Sequence, residues 1–514
     1  MKGNSSALGV IQPLTGGKLI VAAMLLALAN FVVVLDMTIA NVSVSNIAGG
    51  LAVSLSEGTY VITSYAVAEA ICVPLTGWLA SRFGTLRVFT TCMMLFGVFS
   101  ALCGFADSLG ILVAGRVLQG LAGGPLMPLS QTLLMQIFPK EKRSTALGLW
   151  AMTTLVAPVM GPVVGGYICD NFGWSFIFFI NIPLAIVCSL VLLKLLRCFE
   201  SVIIKNKIDF IGLALLIVWV SALQIMLDEG KNYDWFESSE IWALLIIAAI
   251  GFACFMIWEL THDHPIVNIR VFRHRGFAAS VLTISLGFGA FNCSIVLTPL
   301  WLQNYMGYTA AWSGLTTAAL GVLAVCVAPF AAKFSTKYDP RMLVFCGLGW
   351  LGILTLYRSF GLTDMTHYQV SIPMLIQGIG MPFFFVPLTA LALSSVNSDE
   401  VASAAGLMNF LRTLSGAMAT SVVTTAWEDR TNVLRNDLVD KIVLPEQIAS
   451  MLGDVSQSGQ VAAVYALDQI LQSQAVMLAT NHIFLVVSCA FAFAAMAIWL
   501  APKPNATTET IVSH

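Results

Sequence analysis

The stretch KLIVAAMLLALANFVVVLDMTIANV, from Lys18 to Val42, decides the architecture. It exceeds the roughly 20 apolar residues that a helix needs to cross a bilayer core of about 30 Å, and only Asp36 interrupts it, near its end. The run is too long for a signal-peptide core and no small-x-small cleavage site follows, so it is expected to remain as a first membrane span and its own targeting signal. Similar runs recur near 19–43, 58–80, 88–107, 109–136, 144–168, 174–197, 209–228, 240–260, 277–302, 311–334, 341–361, 369–394, 402–427 and 478–500. The expectation is an all-α polytopic membrane protein with fourteen transmembrane helices.

Composition agrees. Of 514 residues, 58% are hydrophobic and 10% charged, with a mean hydropathy of +0.87, whereas soluble domains carry about 25% charged residues. The net charge of −2 and the scatter of Lys and Arg through short loops give no basic face, which argues against nucleic acid as a partner. The eleven Cys fall mostly in apolar runs without a CxxC pair, so they read as small buried hydrophobes rather than disulfides or metal ligands. Neither a nucleophile–base set nor a Gly-rich phosphate loop is present, so the chain reads as no enzyme, with no cofactor and no ATP site. Any pumping must draw on an ion gradient.

Cations collect in alternate loops: Arg82 and Arg87; Lys140, Lys142 and Arg143; Lys194, Arg197, Lys205 and Lys207; Arg270, Arg273 and Arg275; Lys333, Lys337 and Arg341; and, at the ends, Lys2, Lys18 and Lys503. The opposite loops hold Lys231 and, at a span end, Arg358. The positive-inside rule then places both termini in the cytoplasm, as an even span count requires. Residues 428–477 form the one sizeable outer segment, whose mix of Val461, Val464, Tyr465 and Leu467 with Asp468 and Gln469 suggests short amphipathic helices.

An ionisable group at a span centre costs about 2.5–3.5 kcal/mol on insertion scales, so such groups are informative. They are Asp36 late in span 1, Glu69 in span 2, Arg116 in span 4 and Arg412 in span 13. Each can be read as half of an internal ion pair or as machinery. For the two carboxylates function is the expectation, because an acid in a low-dielectric cavity can bind and release a proton; Asp36 could equally be solvated at the outer interface. Arg116, Gly120 and Gly124 lie at i, i+4 and i+8, a cation and a smooth track on one helix face. Ala157, Gly161 and Gly165 repeat that spacing in span 5, where Pro158 and Pro162 remove backbone donors and should bend the helix. Polar residues in spans 12 and 13, with Gln377, Asn409 and Arg412 foremost, must face helices or a cavity, since lipid cannot satisfy them. Gln119 joins them as a cavity candidate, and Phe383, Phe384 and Phe385 offer an adaptable apolar pocket or plain core.

GWLASRFGTLR (77–87) resembles the loop motif between spans 2 and 3 of the major facilitator superfamily, RVLQG (116–120) its span-4 motif, and APVMGPVVGGYI (157–168) the antiporter motif of span 5. LDMTIANV (35–42), WSFIFFINIP (174–183) and LQIMLDEGKNYDWF (223–236) are similar to fourteen-span drug:proton antiporters of the EmrB type. The resemblance covers essentially the whole chain. It implies the major facilitator fold: a six-helix bundle over 1–200, two inserted helices with a linker over 201–270, and a second six-helix bundle over 271–514 that includes the outer segment 428–477, with alternating access by rocking. It also implies a cytoplasmic gate at Gly77, Arg82, Gly84 and Arg87, and the antiporter motif at Pro158, Gly161, Pro162, Gly165 and Gly166. Three positions depart from the pattern: Ser81 stands where an acid is usual, Met37 where a small polar residue is, and Glu69 where an uncharged one is.

The expected function is proton-driven export of hydrophobic drugs or toxic amphiphiles across a Gram-negative inner membrane, with Asp36 and Glu69 as proton sites and Arg116 as their partner. The resemblance implies a periplasmic membrane-fusion adaptor and an outer-membrane channel as partners, besides protons, substrate and the lipid bilayer. The alternatives are a secondary exporter of one metabolite, such as a fatty acid or siderophore, and a membrane sensor that transports nothing.

Overall fold

A computed structural model describes residues 14, 16–139, 142–201, 203, 209–230, 232–263, 265–308, 310–397, 399–441 and 457–503. Lys2, Lys140, Lys205, Lys207 and Lys231 lie outside them, as do the side chains of Pro158, Pro162, Val461 and Val464. Every regular element among the described residues is a helix.

The first six-span unit comprises α1 (Gly17–Gly50), α2 (Leu55–Cys72), α3 (Thr76–Phe83), α4 (Thr85–Gly104), α5 (Leu109–Gly123), α6 (Leu126–Ile137), α7 (Arg143–Phe172), α8 (Phe176–Phe179) and α9 (Asn181–Leu195). Next come α10 (Phe210–Glu229) and α11 (Ser239–Thr261). The last unit comprises α12 (Arg275–Tyr305), α13 (Ala310–Lys337), α14 (Pro340–Arg358), α15 (His367–Gln377), α16 (Gly380–Ser394), α17 (Val401–Lys441) and α18 (Gln457–Ala497). Among the described residues eleven helices or helix pairs are long and apolar enough to cross a membrane, and the bent pair α2–α3 makes twelve. With α7, of 30 residues, and α17, of 41, the succession is consistent with fourteen spans.

Local chemistry sets the ends and breaks. Ser54 and Glu57 close a capping box at the start of α2, and Asp339 caps α14 with Pro340 in its first turn. Span 2 is not straight: α2 and α3 meet at 58° around Pro74, which has no N–H to continue the ladder. Spans 4 and 12 divide at Gly124–Pro125 and at Gly378–Ile379. By contrast α7 is one continuous helix through positions 158 and 162.

Within the first unit α1 packs on α7, α2 on α5, and α4 on α5 and α9; within the last, α12 packs on α17 and α18, and α14 on α16 and α18. The units meet where α7 lies along α13 and α16, and where α17 lies along α3 and α6. The inserted hairpin packs through α10 on both α2 and α17. Near the turn of that hairpin, Ser421 donates to Leu227 O at 2.7 Å and Trp235 Nε1 to Thr425 Oγ1 at 2.8 Å. α11 presents most of its length outward, with only 22% of its span buried against 72% for the α15–α16 span, as befits a lipid-facing helix whose surface carries Ile246, Ile250 and Ile257.

The outer segment differs from the expected short amphipathic helices. α17 runs on to Lys441 and α18 already begins at Gln457, so both ends of residues 428–477 are extensions of spans 13 and 14. Arg435 and Asp468 join the two extensions at 2.6 Å, and Trp427 Nε1 donates to Thr480 Oγ1 at 2.9 Å below them. Leu467 is half-buried there.

Candidate functional site

Asp36, on α1, is buried in the first bundle rather than solvated at an interface. Its Oδ2 accepts from Arg116 at 2.6 Å, and its Oδ1 accepts from Asn181 at 2.6 Å and from Gln119 at 3.1 Å. The same Arg116 guanidinium donates to Gln119 Oε1 at 2.8 Å and to Val61 O at 3.1 Å, and lies 4.1 Å from the Tyr65 ring centre. Ser100 Oγ accepts from Gln119 and Asn181 and donates to Phe178 O. Three side chains from α5 and α9 thus converge on the carboxylate of α1, and Ser100 of α4 ties two of them together. A buried ion pair needs further hydrogen bonds, and here the two Asp36 oxygens accept three while Arg116 donates to three acceptors. Adding a proton to Asp36 removes the anion that all three donors address, so protonation there reaches four helices.

Glu69, on α2, is also buried. Arg412 and Arg116 act on it through charge. The glycine track explains how α5 comes so close: a Cβ on Gly120 would lie 2.5 Å from Tyr65 O, and one on Gly124 3.0 Å from Glu69 O.

The last bundle repeats this crossing. Gln377–Gly378 follows Met374 as Gln119–Gly120 follows Arg116, and a Cβ on Gly378 would strike Leu320 O of α13. Leu320 and Ala324 therefore hold the places of Tyr65 and Glu69, and no acid lies there. Gln377 is a correction to its expected place beside Asn409 and Arg412 as a cavity-lining residue. It accepts from Arg358 at 3.2 Å and donates to Thr355 at 2.9 Å, buried within its own bundle. Arg358 is a second correction, because it is no outer-loop cation. It is buried, donates to Ser294 at 2.8 Å and to Thr298, and lies 4.4 Å from the Phe484 ring centre.

Asn409 and Arg412 instead stand at the seam between bundles. Asn409 Nδ2 donates to Gln131 Oε1 of α6 at 2.7 Å. Arg412 reaches Met127 Sδ at 3.6 Å and lies between the rings of Trp150 and Phe288, 5.7 and 5.1 Å from their centres. Phe384 and Phe385 are core, and Phe383 stacks on Phe334.

At the face holding the described chain ends, Gly77 of α3 abuts Ser403 of α17, so that a Cβ would sit 2.1 Å from Ser403 Oγ and 2.7 Å from its Cα. Gly406 similarly faces Val73 O at 3.0 Å. The units touch here through missing side chains. Gly84 has φ +95°, the left-handed region that favours glycine, and its α face lies on Glu200. That residue supplies the acid that Ser81 does not: its carboxylate accepts from Leu86 N and Arg87 N at the start of α4 and pairs with Arg87 at 3.6 Å. Ser81 bonds back to Trp78 O, and Arg82 sits in the last turn of α3.

The glycines of span 5 do not face the second bundle. A Cβ on Gly161 would lie 2.3 Å from Thr38 Oγ1 and one on Gly165 3.2 Å from Ile39, both on α1, while Gly166 has open space. Pro158 and Pro162 belong to the same helix, with side chains outside the described set. The motif therefore seats the helix that carries Asp36, two residues before Thr38.

A cleft of about 590 Å³ opens between α10, α11 and α17, lined by apolar side chains such as Trp219, Phe252, Phe255, Phe410 and Leu414. Among the described residues no group of His, Cys, Asp or Glu is arranged to hold a metal.

The model of the Major Facilitator Superfamily matches residues 26–420. The chain belongs to this superfamily. It is 42% identical over 500 residues to the multidrug export protein EmrB of Haemophilus influenzae, covering 96% of this chain and 98% of that one. It is 40% identical over 498 residues to EmrB of Escherichia coli, covering 96% and 97%, and 41% identical over 497 residues to the fatty acid resistance protein FarB of Neisseria gonorrhoeae, covering 96% and 98%. Among solved structures, the proton:xylose symporter XylE matches with a TM-score of 0.60 at 12% identity over 94% of this chain and 96% of that one, which bears on the fold alone. As a major facilitator of the EmrB type the chain is a multi-pass transporter and not an enzyme.

Asn181, Gln131, Arg358 and Glu200 were not expected at these positions. Asn181 had a signal, as the one amide in the apolar run FIFFINIP; the others acquire meaning only from the helices they face.

Proposed function

We propose that this transporter exports hydrophobic drugs and toxic amphiphiles from the cytoplasm across a bacterial inner membrane in exchange for protons, with both termini cytoplasmic. The observation that carries the reading is the buried Asp36–Arg116 pair, in which one titratable carboxylate is the common acceptor for Arg116, Gln119 and Asn181. A proton arriving at Asp36 releases those donors, and Glu69 on the neighbouring helix offers a second acid between Arg116 and Arg412. Rocking then proceeds about the small-residue contact of Gly77 with Ser403. The similarity to EmrB proteins supports drugs as cargo. The similarity to FarB supports a second reading, export of fatty acids. Growth of a deletion strain on a panel of drugs, detergents and long-chain fatty acids separates them: sensitivity to many unrelated compounds supports the first, and sensitivity to fatty acids alone the second.

For release across the outer membrane we propose a periplasmic membrane-fusion adaptor and an outer-membrane channel, with the α17 and α18 extensions as the adaptor dock. Their Arg435–Asp468 pair gives the projection a defined shape. Replacing residues 436–467 with a short linker is expected to abolish co-purification with the adaptor and whole-cell resistance while sparing transport in liposomes. A trimmed chain that still retains its adaptor refutes the dock.

A further inference from the structure

Three arginines lie buried in the spans, and their surroundings differ. Arg116 has a carboxylate, an amide oxygen and a carbonyl. Arg358 has three neutral oxygens. Among the described residues the guanidinium of Arg412 makes one hydrogen bond, the long contact to Met127 Sδ, and its Nε has no partner although the residue is only 3% exposed. A desolvated guanidinium with five donors is costly unless an anion reaches it. The surroundings are also unsaturated. Asn409, one helical turn before Arg412, ties its amide nitrogen to Gln131 Oε1, which leaves Gln131 Nε2 and Asn409 Oδ1 buried without partners. Two donors and one acceptor are therefore unfilled at a single crossing of α6 and α17. Apolar walls complete it: Met127, Trp150, whose Nε1 is fixed on Ser130 at 2.8 Å, and Phe288. Among the described residues Glu69 is the acid whose charge reaches Arg412.

We infer that Arg412 and Gln131 form an anion-receiving subsite at the seam of the two bundles, which takes the acidic head of an amphiphile while Trp150, Phe288 and Met127 hold its apolar body. Carboxylate is the chemistry that fits best, since a planar guanidinium fork and an amide N–H₂ address its two oxygens together. Glu69 is the acid whose charge competes with the cargo head for Arg412, so removing its charge strengthens binding. The second bundle has Ala324 in the place of Glu69, which makes the competition a property of one side of the seam. Because the subsite draws on both bundles, an occupant bridges surfaces that must part when access switches. This inference rests on the reading of the chain as an exporter of amphiphiles and narrows its cargo to acids.

The test is binding of three twelve-carbon probes to purified protein in nanodiscs, followed by tryptophan fluorescence: dodecanoate, dodecanol and dodecyltrimethylammonium. A hydrogen bond to a charged group corresponds to about tenfold or more in affinity, so dodecanoate is expected to bind at least about tenfold tighter than the other two. Arg412→Gln is expected to erase that preference, Gln131→Leu to weaken dodecanoate about threefold, and Glu69→Gln to tighten it. Arg412→Lys, which keeps the charge but not the fork, is expected to fall between and covers the case in which Arg412→Gln does not fold. Equal binding of the three heads by the wild type, or a dodecanoate preference that survives in Arg412→Gln or is undiminished in Gln131→Leu, overturns the inference. If the preference follows Arg412 but no probe is moved uphill in proteoliposomes, the exporter reading fails and the anion subsite stands.

Discussion

Asp36 and Arg116, eighty residues apart in sequence, meet at 2.6 Å with both side chains only 1% exposed. Removing one partner of such a pair leaves an uncompensated buried charge at about 3–5 kcal/mol. Besides Asp36, Arg116 has Gln119 Oε1 and Val61 O as acceptors, so the proposed proton exchange at Asp36 would leave the arginine two of its three partners.

The span-5 glycines carry a prediction with its own control. Gly161→Leu drives a side chain into Thr38 and displaces α1 beside Asp36, so transport is expected to fall at least tenfold. Gly166→Ala, with open space at its Cβ, is expected to transport as the wild type does. Initial efflux rates in everted vesicles, normalised to protein level, check both, and equal rates for the two variants would refute the packing account.

Gly77 and Ser403 touch at the face that closes in the proposed cycle. Gly77→Ala places a methyl 2.1 Å from Ser403 Oγ and should hold that face ajar, lowering transport and raising the labelling rate of a cysteine placed nearby. Ser403→Gly removes that hydroxyl and is expected to recover part of the activity. Labelling that does not change in Gly77→Ala would mean that the contact is not part of the gate.

Much of this was legible in the chain. Span lengths, the alternation of cationic loops and six ordered motifs announce the fold, because a membrane leaves few ways to bury a backbone. The carboxylates announced themselves by their cost. Partnership did not: Asn181 and Gln119 reach Asp36 across 145 and 83 residues, and no periodicity encodes which helix faces which. Arg358 looked like a loop cation because it ends a span, and only the fold shows it turned inward to Gln377. The long extensions of α17 and α18 were misread as short helices, since their charged residues interrupt the apolar period without interrupting the helix.

The start of α17 is held by Glu400, which accepts from Arg273 at 2.8 Å and contacts His274 at 2.9 Å. Burial pushes its carboxyl up, but the His274 hydrogen bond and the Arg273 charge outweigh that and leave it below the usual glutamate value. A depressed acid stabilises the fold above its unfolded value and loses that contribution as pH falls through its folded one. Glu400→Gln is therefore expected to lower the melting temperature of the detergent-solubilised protein near neutrality, with the difference from wild type shrinking below about pH 4. A difference independent of pH would remove the charge from the explanation.

In the proposed cycle a proton on Asp36 exchanges for cargo. Its most direct measurement is the luminal pH of proteoliposomes after substrate is added, for the wild type and Asp36→Asn, beside substrate binding to each. A substrate-dependent proton flux is expected in the wild type and none in Asp36→Asn, with substrate affinity kept within about threefold because the variant retains the shape of the site. A proton flux in Asp36→Asn equal to that of the wild type would contradict it.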